Sequence, residues 1–279
     1  MIRTVIVGAS GRMGTQMLRL LPEFPALALV GAVASERSDA LGKGVRELVG
    51  SGAAATAAAG GDANGISISA QLPPLLAQAD LVIDFSSAAA AAAHLAACVG
   101  ARVALLLGTT GLPPELAAPL AAAADLIPLL VAPNTSPGVA LLLDLVRHSA
   151  QALPPGYDIE IVETHHRNKR DAPSGTALAL GEAAAGARGT TLAAQAVYGR
   201  HGHSGTRAPD QIGFSSLRGG DVVGEHEIWF LGNGERLLLK HTATERSVFA
   251  RGALLAGQWL AGRAAGSYAM RDVFISGYK

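Results

Sequence analysis

The first half of the chain alternates short apolar runs with longer stretches rich in alanine and leucine. Short, bounded apolar runs are typical of buried strands, and the Ala/Leu-rich stretches between them favour helices. Because strand and helix alternate, the pattern predicts right-handed crossovers and a parallel sheet. The predicted strands are Thr4–Val7, Ala26–Ala34, Leu81–Phe85, Arg102–Leu107 and Ile127–Ala132, and the predicted helices are Gly11–Leu21, Ala88–Val99 and Pro114–Ala124. The polar region 35–64 has no clear periodicity, and its low-complexity part, Ser51–Gly65, is interpreted as a surface loop or short helix.

The second half has a different pattern, in which alternating, glycine-interrupted segments dominate. A helix is predicted at Gly138–Ala152, a strand with a period of two residues at Asp158–Glu163, and a second helix at Thr176–Ala185. Further strands of a mixed or antiparallel sheet are predicted at Thr191–Val197, Ile212–Leu217, Glu225–Leu231 and Arg236–Lys240, before a last helix at Val248–Ala261.

These elements predict an α/β protein of two domains. We expect an N-terminal Rossmann-like domain with a parallel sheet, formed by residues 1–136 and 246–279, to which the C-terminal helix returns. Residues 137–245 are expected to form a second α+β domain with a mixed or antiparallel sheet.

Composition narrows the function classes. The 279 residues include 22 Lys and Arg and 22 Asp and Glu, and this zero net charge argues against a nucleic-acid partner or an anionic membrane surface. No apolar run is long and clean enough for a membrane span, and the N-terminus does not have the pattern of a signal peptide. The single cysteine, Cys98, excludes an intrachain disulfide and is interpreted as a small buried hydrophobe. We therefore expect a cytoplasmic protein.

A glycine turn links the first predicted strand directly to the first helix. Gly8 permits a tight turn, Gly11 lets backbone N–H groups approach a pyrophosphate, and Gly14 allows close packing of helix on sheet. This strand–turn–helix context predicts a dinucleotide site rather than a purely structural turn. Its candidate residues are Gly8, Ser10, Gly11, Arg12, Met13 and Gly14.

Three later loops add candidates for the same site, because ligands of such sheets bind outside the carboxyl ends of strands. Glu36 after the second strand is suited to a ribose hydroxyl and Arg37 to a 2′-phosphate, so the cofactor preference stays open, and a solvated loop is the alternative. The other two loops are Gly108–Gly111 and Ala132–Ser136, for which ordinary turns are the alternative. Their candidate cofactor contacts are Gly108, Thr109, Thr110, Ala132, Asn134 and Thr135.

The segment Glu160–Ala177 is the most informative part of the second half. It contains a candidate proton donor, His165, a cation four residues later, Lys169, and a Pro-Ser-Gly-Thr helix start. Ser174 is a favourable N-cap, and the N–H groups of Gly175 and Thr176 can bind an anion. Together these residues predict a pocket for a small dicarboxylate with an acid nearby, although a solvated basic loop has a similar composition.

The whole segment resembles the signature of the 4-hydroxy-tetrahydrodipicolinate reductase (dihydrodipicolinate reductase) family, which acts in bacterial lysine and diaminopimelate synthesis. The resemblance extends in order over most of the chain. It also covers Gly8–Gly14, Gly108–Gly111, Ala132–Gly138, Arg218–His226 and His241–Gly252.

The resemblance implies hydride transfer from NADH or NADPH to the substrate ring, with loss of water. It implies that His165 is the proton donor and that Lys169 assists and holds a substrate carboxylate, while His166, Ser174, Gly175 and Thr176 complete the substrate site. It also implies that residues 137–245 serve substrate binding and oligomerisation, in a homotetramer joined through the sheets of the second domains. An acid of the family aligns with Glu36 only after a small shift, which leaves the choice between NADH and NADPH open.

The sequence is also compatible with alternative roles for several histidines and arginines and with two rival functions. Four histidines could suggest a metal site, but no convincing ligand set accompanies them, so we expect no metal: His201, His203, His226 and His241. Arg218 and Arg246 could support the cofactor, domain closure or surface pairing. The rival functions are another two-domain dehydrogenase of the aspartate pathway and a non-catalytic dinucleotide sensor, neither of which requires the segment Glu160–Ala177.

Overall fold

The computed structural model describes residues 1–50 and 65–275. The interpretation of Ser51–Gly65 therefore lies outside the described residues, except for Gly65. Contacts between Cα atoms divide the chain into two compact units. The first unit consists of Met1–Ser136 and Ser247–Lys279, and the second of Pro137–Arg246.

A parallel sheet of seven strands forms the centre of the first unit. With strands numbered along the whole chain, they are β1 (Ile2–Val7), β2 (Leu27–Val33), β3 (Ile68–Ser69), β4 (Leu81–Asp84), β5 (Ala104–Leu107), β6 (Pro128–Val131) and β12 (Gly266–Tyr268). They lie in the order β12-β6-β5-β4-β1-β2-β3, and every neighbouring pair is parallel. The order reverses at β1, which is the arrangement of a doubly wound dinucleotide fold. The Rossmann-like part of the predicted fold class is thus confirmed.

Helices cover this sheet. They are α1 (Arg12–Leu20), α2 (Val45–Val49), α3 (Ala88–Ala101), α4 (Ala117–Ala124), α8 (Ser247–Leu260) and α9 (Met270–Phe274), with short 3-10 turns at Leu21–Glu23, Pro73–Gln78 and Pro114–Leu116. The predicted helices of this half are confirmed, whereas α2, α9, β3 and β12 were not predicted. The strands β4 and β5 are buried along their whole length, as continuous apolar runs with helices on both faces require. α8 packs closely on β4, since a Cβ at Gly257 would lie 2.8 Å from Ile83.

The second unit has a five-stranded mixed sheet with helices packed against it. Its elements are α5 (Pro137–Ala152), β7 (Asp158–His165), α6 (Gly175–Ala187), α7 (Leu192–Gln195), β8 (Ala196–Tyr198), β9 (Ile212–Arg218), β10 (Gly224–Leu231) and β11 (Arg236–Ala243). The strand order is β11-β10-β7-β9-β8. The pairs of β9 are parallel and those of β10 antiparallel, which confirms the predicted mixed sheet. The side chains of β7 alternate between buried and half-buried, so one face of that strand lies on the core.

One predicted strand, Thr191–Val197, is wrong over most of its length. Thr191 has extended backbone geometry and precedes the single turn of α7, and only Ala196 and Val197 belong to a strand. The residues Leu-Ala-Ala-Gln are good helix formers, and Leu192 is buried in the core of the unit. Within the described residues, no helix has the length and apolar character needed to cross a membrane.

Candidate active site

Loops of the first unit meet along one edge of its sheet, because the strands are parallel and their carboxyl ends coincide. Backbone hydrogen bonds join each loop to the neighbouring strand. The donor–acceptor pairs are Gly8 N to Val33 O at 2.9 Å, Phe85 N to Val7 O at 3.0 Å, Gly108 N to Asp84 O at 2.8 Å and Ala132 N to Leu107 O at 2.9 Å. The structure therefore brings the glycine turn and the predicted cofactor loops to a single edge.

The glycine turn is built by close backbone contact. Gly8 has a φ of +80°, a region that residues with a side chain rarely adopt. The N–H of Gly11 donates to the carbonyl of Gly8 at 2.9 Å, and Gly11 caps α1. A Cβ at Gly14 would lie 2.2 Å from the carbonyl oxygen of Gly8, so no side chain fits there. The first N–H groups of α1 lack helical acceptors and can bind an anion.

The other predicted cofactor residues have different surroundings. Ser10 accepts a 3.0 Å hydrogen bond from the hydroxyl of Ser38, which ties the glycine turn to the loop after β2. The exposed predicted residues of this edge are Ser10, Arg12, Glu36, Arg37 and Thr110, while Met13 is half-buried. The side chain of Thr135 donates to the carbonyl of Phe249 at 2.7 Å, so that hydroxyl serves the fold of the unit. The amide oxygen of Asn134 accepts from the N–H of Ser136 at 2.9 Å.

Two observations test whether this edge fits a dinucleotide. The contact between Gly8 and Gly14 leaves backbone N–H groups uncovered by side chains at the start of a helix. Thr109 is 7% exposed, and its hydroxyl has no hydrogen-bond partner among the described residues. A buried, unpartnered hydroxyl is costly, and a ligand that supplies the partner removes the cost. The residues present therefore fit NADH or NADPH.

Sequence reasoning missed a contact at the same edge between the buried Asp84 and the half-buried His94. Asp84, at the end of β4, is fully buried, accepts from the N–H of Ser86 at 2.8 Å, and lies 2.7 Å from the Nδ1 of His94. The ring of Phe85 covers Gly108, where a Cβ would lie 2.2 Å from the ring. The sequence signal for this contact is the acidic residue Asp84 at the carboxyl end of an apolar strand. This pair fixes the turn that follows β4.

A second group of polar side chains lies at the end of β7 in the second unit. Glu163 and His165 are two residues apart, and both are buried on one face of the strand. Glu163 Oε2 lies 2.5 Å from His165 Nδ1. Arg218, opposite His165 in the register of β9, donates one hydrogen bond of 2.8 Å to each oxygen of Glu163. The N–H of Ser174 adds a bond of 3.2 Å.

The charge of Glu163 follows from these contacts. Burial alone would raise the pKa of this carboxyl. The hydrogen bonds from His165 and Arg218 outweigh burial and hold the pKa of Glu163 well below its ordinary value. Glu163 is therefore an ionised carboxylate at neutral pH, although its side chain is only 1% exposed.

Lys169 lies on the loop between β7 and α6. Its ammonium donates to the two oxygens of Asp171 at 2.9 and 2.8 Å, and this contact lowers the pKa of the exposed Asp171. The carbonyl of Asp171 in turn accepts from Arg218 at 2.7 Å. The predicted cation and the buried Glu163 are thus connected through a single loop.

Ser174 is the N-cap of α6, as predicted, and its hydroxyl accepts from the N–H of Ala177 at 3.2 Å. The same hydroxyl lies 2.9 Å from His226 Nε2, and Ser174 is only 2% exposed. Its side chain is therefore occupied by protein contacts, whereas Gly175 is exposed and Thr176 is half-buried at the helix start. His166 is also half-buried, beside His165.

His226 completes the buried group. Its ring centre lies 5.1 Å from that of His165, with the planes at 74°. Burial, and secondarily the charge of His165, lower the pKa of His226 to about 3, so its imidazole is neutral near pH 7. His241 faces His226 across the β10–β11 pair, and burial lowers its pKa too. His201, His203 and Arg246 are exposed, and the described residues contain no group of three or more side chains suited to a metal ion.

Comparison with known proteins gives one consistent family. The model "Dihydrodipicolinate reductase, N-terminus" matches residues 2–135, and "Dihydrodipicolinate reductase, C-terminus" matches residues 138–274. A 4-hydroxy-tetrahydrodipicolinate reductase from Anaeromyxobacter dehalogenans is 49% identical, over 98% of this chain and 97% of its own. The enzyme of that name from Thiobacillus denitrificans is 46% identical, over 98% of both chains. These findings confirm the resemblance.

Solved structures agree with the fold. A dipicolinate-bound dihydrodipicolinate reductase from Paenisporosarcina sp. TG-14 superposes with a TM-score of 0.74 at 23% identity, covering 96% of this chain and 97% of its own. An amine dehydrogenase from Mycobacterium smegmatis gives a TM-score of 0.60 at 14% identity, covering 96% and 95%. At sequence identities of 23% and 14%, these superpositions show a shared fold and nothing beyond it.

The contact between Gly8 and Gly14 gives a test of the cofactor site. In Gly14→Ala, the new methyl displaces the carbonyl of Gly8 and covers the start of α1. We expect the Kd for NADPH, measured by fluorescence titration, to rise at least about tenfold. Gly100→Ala on α3, where a Cβ meets open space, is the matched control and should bind as the wild type does. Unchanged binding by a folded Gly14→Ala, checked by circular dichroism, would contradict this assignment of the turn.

The low pKa of His226 gives a test by pH. In the unfolded chain His226 binds a proton near pH 6.5, whereas in the folded chain it does so only near pH 3. The contribution of His226 to stability is therefore fully present above pH 6.5 and is lost as the pH falls below that value. Between pH 7 and pH 5 this group removes about 2 kcal/mol from the free energy of unfolding. We expect His226→Gln to flatten this dependence in urea titrations. Exposed His201→Gln should leave it unchanged, and equal slopes for wild type and His226→Gln would refute the assignment.

Proposed function

Because the chain belongs to the dihydrodipicolinate reductase family, we propose that it reduces 4-hydroxy-tetrahydrodipicolinate to tetrahydrodipicolinate with NADH or NADPH. The observation that carries the proposal is the arrangement of His165, Lys169 and the start of α6 around the buried Glu163. It joins one candidate acid, one cation and backbone N–H groups, which is the set of groups that a small dicarboxylate undergoing reduction and protonation requires.

The first unit is proposed as the dinucleotide-binding domain. NADH or NADPH held there supplies the hydride. The N–H groups at the start of α1 would bind the pyrophosphate, and Thr109 would give its buried hydroxyl to the ligand. Glu36 and Arg37 share one exposed turn after β2, so we propose that ribose hydroxyls and a 2′-phosphate are both accepted there.

The second unit is proposed as the substrate domain. Lys169 and the N–H groups of Gly175 and Thr176 would bind the two carboxylates of the substrate, with His166 at the edge of the site. The dipicolinate bound by the structurally similar reductase supports a dicarboxylate of this size. Proton donation is assigned to His165, since imidazole suits proton transfer near neutral pH. In the overall reaction the substrate gains a hydride and a proton and loses one water.

We also propose a homotetramer that works in the cytoplasm, where NADH and NADPH are supplied. β11 is an edge strand, and its Leu237 and Leu238 are 37% and 39% exposed. Exposed leucines on an unpaired strand edge favour association through the sheets. Light scattering of the purified protein should give a mass near four times 28.2 kDa. A stable monomer at micromolar concentration would contradict the proposal.

The reaction is tested by oxidation of NADH and NADPH, in parallel, with freshly generated 4-hydroxy-tetrahydrodipicolinate. We expect turnover by the wild type. His165→Ala and Lys169→Ala should each lower kcat/KM by about 10²-fold or more, because an acid and a carboxylate contact are lost.

Cofactor binding should survive both substitutions, since the residues of the dinucleotide site lie in the other unit. Arg170→Ala, which removes an exposed cation next to Lys169, is the matched control and should stay near wild-type activity. No turnover by the wild type would refute the proposed reaction. Loss of NADPH binding in the Lys169 variant would give that loop a structural role instead.

A further inference from the structure

The carboxylate of Glu163 is buried and ionised, and it has no role in the reaction proposed for this site. We propose that Glu163 is the positioning residue for His165: it holds the imidazole by Nδ1 so that Nε2 delivers the proton, and Arg218 keeps that carboxylate ionised throughout. This inference rests on the proposed function. It adds Glu163 and Arg218 to the residues that determine turnover, although neither is assigned a contact with the substrate.

The orientation of the ring follows from the contacts at its two nitrogens. Nδ1 lies 2.5 Å from Glu163 Oε2, and a carboxylate accepts hydrogen bonds only, so Nδ1 carries a proton in this contact. The other nitrogen, Nε2, faces the backbone of Gly224, where an added Cβ would lie 3.1 Å away. With no side chain at Gly224, Nε2 is the nitrogen left to exchange a proton with a ligand.

The role of Arg218 follows from charge balance. If Glu163 stood alone beside His165, it could keep the transferred proton as a neutral acid. Arg218 donates two hydrogen bonds of 2.8 Å to Glu163. Because a guanidinium always carries its charge in proteins, these bonds hold Glu163 in its ionised form. When His165 is protonated the three groups carry one net positive charge, and when it has donated its proton they carry none. Both states keep Glu163 paired.

Further charged and titratable groups lie on the loop after β7 and on the strands of the same sheet. They are Lys169 and Asp171 on the loop after β7, His226 on β10 and His241 on β11. Lys169 is paired with Asp171, and the low pKa of His226 keeps that ring neutral near pH 7. Glu163 is therefore the charged side chain in direct hydrogen-bond contact with His165.

The first test is Glu163→Gln, which keeps the shape of the side chain and removes its charge. We expect kcat to fall about 10²-fold while KM for the substrate changes less than about threefold. Glu163→Asp keeps the charge and should restore part of kcat.

Two further variants separate positioning from stability. Glu160→Gln, on the same strand, removes a carboxylate bonded to Arg200 and Arg207 and should lower Tm without lowering kcat. In the double variant Glu163→Gln with Arg218→Gln, no half-buried guanidinium charge is left without its carboxylate, so Tm should rise above that of Glu163→Gln. The kcat of the double variant should stay low. Recovery of kcat together with Tm would overturn the proposal.

A measurement made without substrate tests the positioning of the imidazole separately from turnover. Nitrogen-15 NMR of labelled histidine, assigned with His165→Asn, reports which ring nitrogen carries the proton. We expect the Nδ1–H form of His165 in the wild type and a mixture or reversal in Glu163→Gln. Equal spectra and equal kcat values in the two proteins would overturn the positioning role. An inactive wild type would instead overturn the proposed reaction, so the two failures are distinguishable.

Discussion

The second unit depends on the burial of one carboxylate. An ionised side chain that is only 1% exposed costs several kcal/mol in desolvation unless hydrogen bonds and an opposite charge compensate it. Glu163 meets that condition through Arg218, His165 and the N–H of Ser174. These partners come from β9, from β7 itself and from the start of α6. The requirement to compensate one charge therefore fixes three elements relative to one another.

The same contacts hold the candidate substrate groups. Arg218 bonds the carbonyl of Asp171, whose carboxylate holds the ammonium of Lys169. Ser174 caps α6 and so sets the direction of the N–H groups that follow it. The first unit uses another principle: its site is shaped by the absence of side chains at Gly8 and Gly14, and backbone alone forms the turn. One site is made by charge compensation and the other by close backbone approach.

Local patterns were sufficient for much of this. The strand β1, the glycine turn and α1 are adjacent in sequence, so the spacing of Gly8, Gly11 and Gly14 was enough to predict them. Alternation along β7 likewise implies that Glu163 and His165 share a face. The pattern could not show that Arg218, 55 residues away from Glu163, faces them, because that depends on the parallel register of β7 and β9. The strand predicted at Thr191–Val197 failed for a related reason: helix-forming residues and the burial of Leu192 favour the turn α7.

Like the chain as a whole, the two ion pairs of the candidate substrate site carry no net charge. Arg218 is matched by Glu163 and Lys169 by Asp171, so neither pair presents a free cation to an incoming dianion. In the proposed complex, a substrate carboxylate must replace Asp171 at the ammonium of Lys169. Asp171 is exposed and its side chain returns to water, whereas Glu163 is buried and has no such alternative. Exchange at Lys169 is therefore inexpensive, and the Glu163–Arg218 pair stays intact while the ligand binds. The site can thus attract a dicarboxylate without a permanent excess of positive charge, because only the exposed one of its two ion pairs opens.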